Sequence, residues 1–239
     1  MKFGLLSFYD NPLERIFLHE IFKNKFQFVI IRELKTLDTY TKKKWTNETG
    51  NFFDKIFLNG KDIKRQNKYS SIFVKNHNEI ETFKFIKKEK VNCLVNLGTT
   101  SKISKKLIDY CKHGVVNVHP GDLPRYRGSS CVEWAILNDH KIKLTAHFMS
   151  EKYDSGPIIK KKTVLCNKKD NYQNVKCRVF EKQGLLLAET MMNISKKKNT
   201  KVTKNNNRPK YTLYNSMTPN LLKKVIIKLK LSKYKFQVN

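Results

Sequence analysis

The sequence predicts an α/β fold with a mostly parallel central sheet flanked by helices. Three observations predict it. The chain opens strand–helix–strand, with the apolar runs Lys2–Phe8 and Phe26–Ile31 on either side of the amphipathic stretch Leu13–Asn24. The same alternation returns in Asn92–Leu97, Ser101–Cys111 and Val115–Val118. That last strand carries Asn117 and runs out on His119 and Pro120, and open sheets gather polar working groups at the carboxyl ends of their strands.

Each element has its own warrant. Lys2–Phe8 is apolar and stops at Asp10-Asn11-Pro12. In Leu13–Asn24, the residues Ile16, Phe17, Leu18, Ile21 and Phe22 recur at helical spacing. No GxGxxG follows the first strand, which excludes the dinucleotide fingerprint. Residues 38–69 are polar and weakly periodic, a loop region with short helical pieces and a turn at Asn59-Gly60. Ser71–Val74 is a strand and Ile80–Lys90 a helix with Ile80, Phe83, Phe85 and Ile86 spaced for one face. Asn92–Leu97 is a buried strand ending at Gly98. Ser101–Cys111 is a helix capped by Ser101 or Ser104 and closed by His113-Gly114. Ser130–Asn138 is a helix carrying Trp134. Lys143–Met149 is a half-exposed strand with Leu144, Ala146 and Phe148 on one face. Pro157–Cys166 is another strand and Val175–Ile194 a long helix. Residues 195–207 are rich in Lys and Asn and read as a mobile linker. A final helix starts at Thr218-Pro219 and runs to about residue 232. This divides the chain into a main domain, 1–195, and a linker with a C-terminal extension, 196–239. The apolar stripe of the extension (Leu221, Leu222, Val225, Ile226, Leu229) suits either its own core or a contact between two copies.

Composition narrows the function. The net charge is +29, from 49 basic and 20 acidic residues, and only seven of the basic ones are Arg. Charge of this size suggests nucleic acid or an anionic surface. The lysines are spread along the chain with no aromatic-interleaved stripe, which favours a solvated lysine-rich surface over a nucleic-acid face. Five cysteines without a CxxC pair read as reduced thiols of a cytoplasmic protein. No apolar run approaches ~18 residues, so no membrane span is expected. The N-terminus turns polar too early for a signal peptide. The six histidines show no ligand spacing, and no metal is expected.

The chemistry concentrates after residue 114. Along a strand, Asn117 and His119 share a face while Val118 turns into the sheet, and Pro120 ends the ladder. Pro124-Arg125-Tyr126-Arg127-Gly128 forms a rigid loop with two guanidinium groups beside that pair. Tyr153-Asp154-Ser155-Gly156-Pro157 puts an acid in a tight turn. It is either an ordinary hairpin turn or the carboxylate that orients and charges His119.

The pattern Asn-x-His-Pro-x-x-Leu-Pro-x-x-x-Gly, here Asn117 to Gly128, is followed by Trp134 and by Asp154-Ser155-Gly156. It resembles the folate-dependent formyltransferase family, well over residues 90–165 and faintly over the first ninety. Gly121-Asp122 stand where that family usually has Ser-Leu, a departure that bears on loop shape. The resemblance implies a Rossmann-like formyltransferase fold, 10-formyltetrahydrofolate as formyl donor, no metal, and Asn117, His119 and Asp154 as catalytic residues. The residue types suit those roles. An Asn amide can donate to the oxyanion of a tetrahedral intermediate, His119 can move the amine proton, and Asp154 can stabilise the imidazolium or act through a water. The resemblance also puts the pterin on Gly98, Thr99, Thr100, Ser101, Lys102 and Ile103, with Asp154 at its edge. By its residues alone this loop is equally a plain strand-to-helix turn. Arg125, Tyr126 and Arg127 are candidates for the second substrate, since guanidinium groups pair well with a diphosphate or the folate tail.

Three branches of the family compete. Initiator-tRNA formyltransferases carry a further barrel domain, for which the forty or so residues after the core are too few, although the charge leans slightly toward tRNA. Glycinamide ribonucleotide formyltransferases usually have a glycine-rich loop after the first strand, where this chain has Ser7-Phe8-Tyr9-Asp10-Asn11-Pro12. Sugar formyltransferases often keep a short C-terminal extension that pairs subunits. The expectation is therefore a cytoplasmic homodimer acting on a nucleotide-linked amino sugar, such as a dTDP-4-amino-4,6-dideoxyhexose of surface-polysaccharide synthesis. A non-catalytic RNA-binding protein and a folate hydrolase stay open as other classes.

Overall fold

The structure is a computed structural model that describes residues 1–9, 11–35, 38–50, 69–196, 202–205 and 213–239. The expected turn at Asn59-Gly60 lies outside these residues, as does most of the linker.

The chain begins with β1 (Lys2–Phe8), α1 (Pro12–Phe22) and β2 (Gln27–Glu33). Asn11 caps α1 through a bond from the Leu13 amide, and Pro stands at the first helical position. The Asn11 amide also donates to Ser7 Oγ and to the carbonyl of Leu97. One side chain thereby ties the start of α1 to two neighbouring strands. The polar stretch after β2 is not simply a loop. Thr39–Thr49 forms an eleven-residue helix, α2. Its weak apolar periodicity hid it, because part of its anchoring is ionic. Glu48 reaches Lys176 at 3.3 Å, and Lys176 also pairs with Glu133 at 2.8 Å. The three groups are buried, a costly arrangement that holds only while each charge keeps its partners.

Then come β3 (Ser71–Val74), α3 (Ile80–Lys88), β4 (Cys93–Asn96), α4 (Lys105–Tyr110) and β5 (Val115–His119). Helix α4 is shorter than expected. Ser104 caps it, accepting from the Leu107 amide, so Gly98–Ser104 is irregular backbone. The rest is β6 (Arg127–Gly128), α5 (Cys131–Leu137), β7 (Lys143–Phe148), β8 (Ile158–Thr163), β9 (Cys166–Asn167), α6 (Tyr172–Ser195), β10 (Leu213–Tyr214), α7 (Pro219–Lys230) and β11 (Gln237–Val238). The single strand expected over 157–166 is two. β8 stops at Thr163, and Cys166–Asn167 pairs instead with β11 near the C-terminus.

Seven strands form one sheet in the order β3-β2-β1-β4-β5-β7-β8. The pairs from β3 to β5 are parallel, and β5–β7 and β7–β8 are antiparallel. The expected mostly parallel α/β sheet is present. Its chain order reverses between β1 and β4, which opens a crevice at their carboxyl ends. One face is covered by α1, α5, α6 and α7 through Phe3, Leu5, Leu18, Val116, Val118, Leu186 and Val225. The other is covered by α3 and α4 through Leu6, Ile31, Phe83, Leu94 and Leu107. Strand β7 is buried on both faces rather than half-exposed, because the loop after β5 bonds Thr145 and the β7–β8 turn brings Asp154 to His147. Beyond it, β8 is an edge strand carrying Lys160, Lys161 and Lys162, with Lys160 and Lys161 exposed.

The C-terminal helix settles on the chain's own core. Val225 and Leu229 are buried, while Ile226 and Ile227 remain exposed. Thr218 stands at its N-cap position but makes no side-chain cap bond. All five cysteines are free thiols, four of them buried.

Candidate active site

Asn117 and His119 project from the end of β5, one residue apart on the same face. Opposite them in the antiparallel register stand His147 and Thr145 of β7. The turn between β7 and β8 brings Asp154 over this pair. Its Oδ1 lies 3.4 Å from His119 Nδ1 and 3.7 Å from His147 Nε2, and its Oδ2 accepts from the Gly128 amide at 2.9 Å. The structure thus brings together the three residues singled out from the sequence.

Hydrogen bonds fix the proton positions. The other nitrogen of His119, Nε2, lies 2.9 Å from the Tyr126 carbonyl, which can only accept, so Nε2 carries a hydrogen. Nδ1 is left as the nitrogen that faces Asp154. Gly121 passes against this ring, where a Cβ would fall 2.5 Å from Nε2. With the loop in this shape, the Ser usual at that position would force ring or loop to shift. The neighbouring Asp122 pairs with Lys161 at 2.6 Å and Lys143 at 3.0 Å, and the Leu123–Pro124 peptide is cis.

His147 was passed over in the sequence because its spacing suits no metal. Its Nδ1 donates to the Phe148 carbonyl at 2.8 Å, leaving Nε2 to accept from Asn117 Nδ2 at 3.2 Å. Burial pushes its pKa down to about 4, against the opposing pull of Asp154, so the ring is neutral at neutral pH. On its other side, Asn117 Oδ1 accepts from Asn96 Nδ2 at 3.4 Å. The amide is thereby held in one orientation with one N–H still to give. The strand alternation in residues 143–148 was the available signal, since it puts Thr145 and His147 opposite the apolar Leu144 and Ala146.

Beside these groups opens a cavity of about 340 Å³, of the size that holds a small ligand. Gly98–Ile103 line one side, Met149–Asp154 the other, and Asn96, Asn117 and His147 the rest. Lys102 Nζ reaches across to the Tyr153 ring, 5.5 Å from its centroid. Ile103 is buried in the core and offers only part of its surface. The hydroxyls of Thr100 and Ser101 are engaged below the loop by Glu33, at the end of β2, each at 2.5 Å, and the Thr100 amide donates to the same carboxylate at 3.1 Å. His77 adds its backbone amide at 3.2 Å and its Nδ1 at 3.1 Å. These two side chains therefore shape the loop from beneath.

Burial alone would raise the Glu33 pKa, but the bonds from His77, Ser101 and Thr100 outweigh it and hold the carboxyl well below the usual carboxylate range. A depressed folded-state pKa gives stability that is present above the unfolded value and lost as pH falls toward the folded one. Melting temperatures measured from pH 7 downward are expected to fall for the native chain below about pH 4.5, and to fall less steeply for Glu33→Gln. Parallel curves would mean the carboxylate contributes nothing.

The three candidate substrate residues divide. Arg125 is exposed. Arg127 is committed to the Tyr153 carbonyl through Nε at 3.1 Å and Nη2 at 2.5 Å. Tyr126 is almost wholly buried, its hydroxyl 2.5 Å from His140 Nδ1, so it fills the loop and does not stack on a ligand. The described residues hold no cluster of His, Cys, Asp and Glu suited to a metal ion.

An open α/β sheet with Asn, His and Asp converging beside a loop-lined cavity supplies groups of the kinds acyl transfer uses: an N–H donor, a proton carrier and a carboxylate. The family model described as formyl transferase matches residues 60–191, more than half of the chain, and the chain belongs to that family. A methionyl-tRNA formyltransferase from Halothermothrix orenii is 35% identical over 104 residues, covering 43% of this chain and 33% of that protein. The chain thus matches about a third of the length of such a curated relative. Among solved structures, a sugar 3N-formyl transferase determined with dTDP and 5-N-formyl-THF gives a TM-score of 0.61 at 15% identity, over 100% of this chain and 82% of that one. A phosphoribosylglycinamide formyltransferase from Anaplasma phagocytophilum gives 0.59 at 17% identity, over 90% of this chain and 99% of that one. At these identities the structures speak for the fold. Among the described residues, no helix is long and apolar enough to cross a membrane.

Proposed function

We propose that the protein transfers a formyl group from 10-formyltetrahydrofolate to a primary amine, with Asn117, His119 and Asp154 at the reacting centre. The observation that carries this reading is the approach of Asp154 Oδ1 to His119 Nδ1, 3.4 Å, beside an Asn117 whose amide is already oriented. The cavity between Gly98–Ile103 and Met149–Asp154 would take the pterin end of the donor. The neutral amine attacks the formyl carbon, and the carbonyl electrons move to oxygen. The second N–H of Asn117 Nδ2 donates to that oxyanion. The amine proton passes through the Asp154 carboxylate, which lines the cavity, to His119 Nδ1, and the imidazolium so formed faces that carboxylate. Collapse breaks the bond from the formyl carbon to the folate nitrogen, which leaves with a proton returned from His119.

For the acceptor we take a nucleotide-linked amino sugar, handled by a chain whose residues 1–195 carry the catalysis and whose C-terminal part completes the fold. In support, a sugar 3N-formyl transferase determined with dTDP shares the fold over this whole chain. The lysine-rich surface would attract a sugar nucleotide and the folate tail alike. Methionyl-tRNA is the second reading, favoured by the 35% identity to a tRNA-acting relative and by the +29 charge.

The test is a formyl-transfer assay with 10-formyltetrahydrofolate and a panel of dTDP- and UDP-linked amino sugars, glycinamide ribonucleotide and charged initiator tRNA. The expected result is the mass gain of one formyl group on a sugar nucleotide. Gain on the tRNA alone would replace the sugar reading with the second one.

A further inference from the structure

Residues 202–217 lie beyond the segment that matches the family, yet two stretches of them grip the frame of Asp154. Thr203 and Ile158 exchange backbone hydrogen bonds of 2.8 and 2.9 Å, which sets Asn205 beside the β7–β8 turn. Asn205 Nδ2 donates to the carbonyls of Asp154 at 2.9 Å and Gly156 at 3.1 Å. Carbonyl oxygens only accept, so the nitrogen must face the turn. Among the described residues the buried amide oxygen of Asn205 finds no hydrogen-bond partner, so the bonds of the nitrogen hold the orientation.

The second grip comes from the other side. β10 pairs with β6, setting Tyr214 against Gly128. The Ser129 amide donates to the Tyr214 carbonyl at 2.8 Å. Gly128 has φ +90°, and a Cβ there would fall 2.3 Å from that same carbonyl oxygen, so only glycine lets the strand approach. Gly128 is the residue whose amide holds Asp154 Oδ2. The Tyr214 ring sits 5.2 Å from both Tyr126 and Trp134, which fastens the strand to the loop.

Asp154 needs bracing. Its φ is +51°, a left-handed conformation that a residue with a Cβ keeps only where its surroundings enforce it. We propose that the C-terminal segment braces the reacting centre: Asn205, through the Asp154 backbone, and Leu213–Tyr214, through Gly128, position the Asp154 carboxylate against His119. Asn205 is a positioning residue and does not line the cavity. The inference rests on the reading of Asp154 as a catalytic group.

Asn205→Ala, Asn205→Asp and Asp154→Asn, each checked by melting temperature, separate the two claims in the formyl-transfer assay. Asn205→Ala is expected to lower kcat roughly tenfold, with KM for donor and acceptor within about threefold of the native values. Asn205→Asp, which sets a carboxylate against two carbonyl oxygens, is expected to lose more. If Asp154→Asn is inactive while both Asn205 variants keep the native kcat, the positioning role is overturned and the reading of Asp154 stands. If Asp154→Asn is fully active, that reading falls and takes the proposal with it. Hydrogen exchange at the Gly128 amide needs no acceptor substrate. It is expected to quicken on the order of tenfold in Asn205→Ala, and unchanged protection overturns the proposal.

Discussion

Replacing His119 with alanine is expected to lower the rate of formyl transfer on the order of 10²-fold or more. The size follows from what the ring does. Nε2 is committed to the Tyr126 carbonyl, so proton transfer at this site runs through Nδ1. Nδ1 faces a carboxylate, and taking up a proton there turns a contact between a lone pair and an anion into a charge-assisted hydrogen bond. The groups that could stand in are poorly suited. His147 is held neutral, its Nε2 engaged by Asn117, and Asp154, which lines the cavity, would have no ring to carry the proton onward. The alanine variant should bind the donor nearly as well as the native chain, because the cavity lining does not include His119. Single-turnover rates with saturating donor, read beside donor affinity, check both halves. A variant within a few-fold of native activity would remove His119 from the mechanism.

Asn117→Ala should cost about 10²–10³-fold in kcat, the range seen when one oxyanion donor is lost. Asn117 is pre-oriented by Asn96 on one side and His147 on the other, so its free N–H loses little freedom when the oxyanion forms. That is the condition under which such a donor acts mainly on kcat and little on KM. Asn117→Asp provides the sharper comparison, because it keeps the shape and puts an acceptor where a donor is required. Steady-state kinetics on both variants test the role. Equal losses in kcat and in ground-state affinity would make Asn117 a binding group instead.

Much of this centre is legible in the sequence alone. Period-two alternation put Asn117 and His119 on one face, and a proline marked where the strand had to stop. The apolar runs of β1, β2, β4 and β5 announced a buried parallel sheet. What escaped has physical causes. Helix α2 is anchored in part by the Lys176–Glu48 pair across more than a hundred residues, and no local pattern records an ion pair. Glu33 looks like an ordinary charge at the end of a strand until Thr100 and Ser101 are folded over it. Tyr126 and Arg127 look like recognition residues in a loop, yet tertiary contacts turn one inward and spend the other on Tyr153. His147 escapes because nothing local records that Asn117 and Asp154, distant in sequence, close on its ring. Asn205 belongs to a low-complexity stretch whose neighbours give no hint of it.

The lysines of β8 give part of the large positive charge a purpose that requires no ligand. An open sheet ends in a strand whose free amide and carbonyl groups could zip onto another such strand, and β8 is that end, bridged by Thr203 at Ile158. Lys160, Lys161 and Lys162 stand along it in succession, paired with Glu189 and Asp122, and such a run of charged side chains is a poor surface for a second strand. The opposite edge, β3, is only four residues long. With charged side chains along one edge and only four residues at the other, the sheet presents little on which a further strand could build.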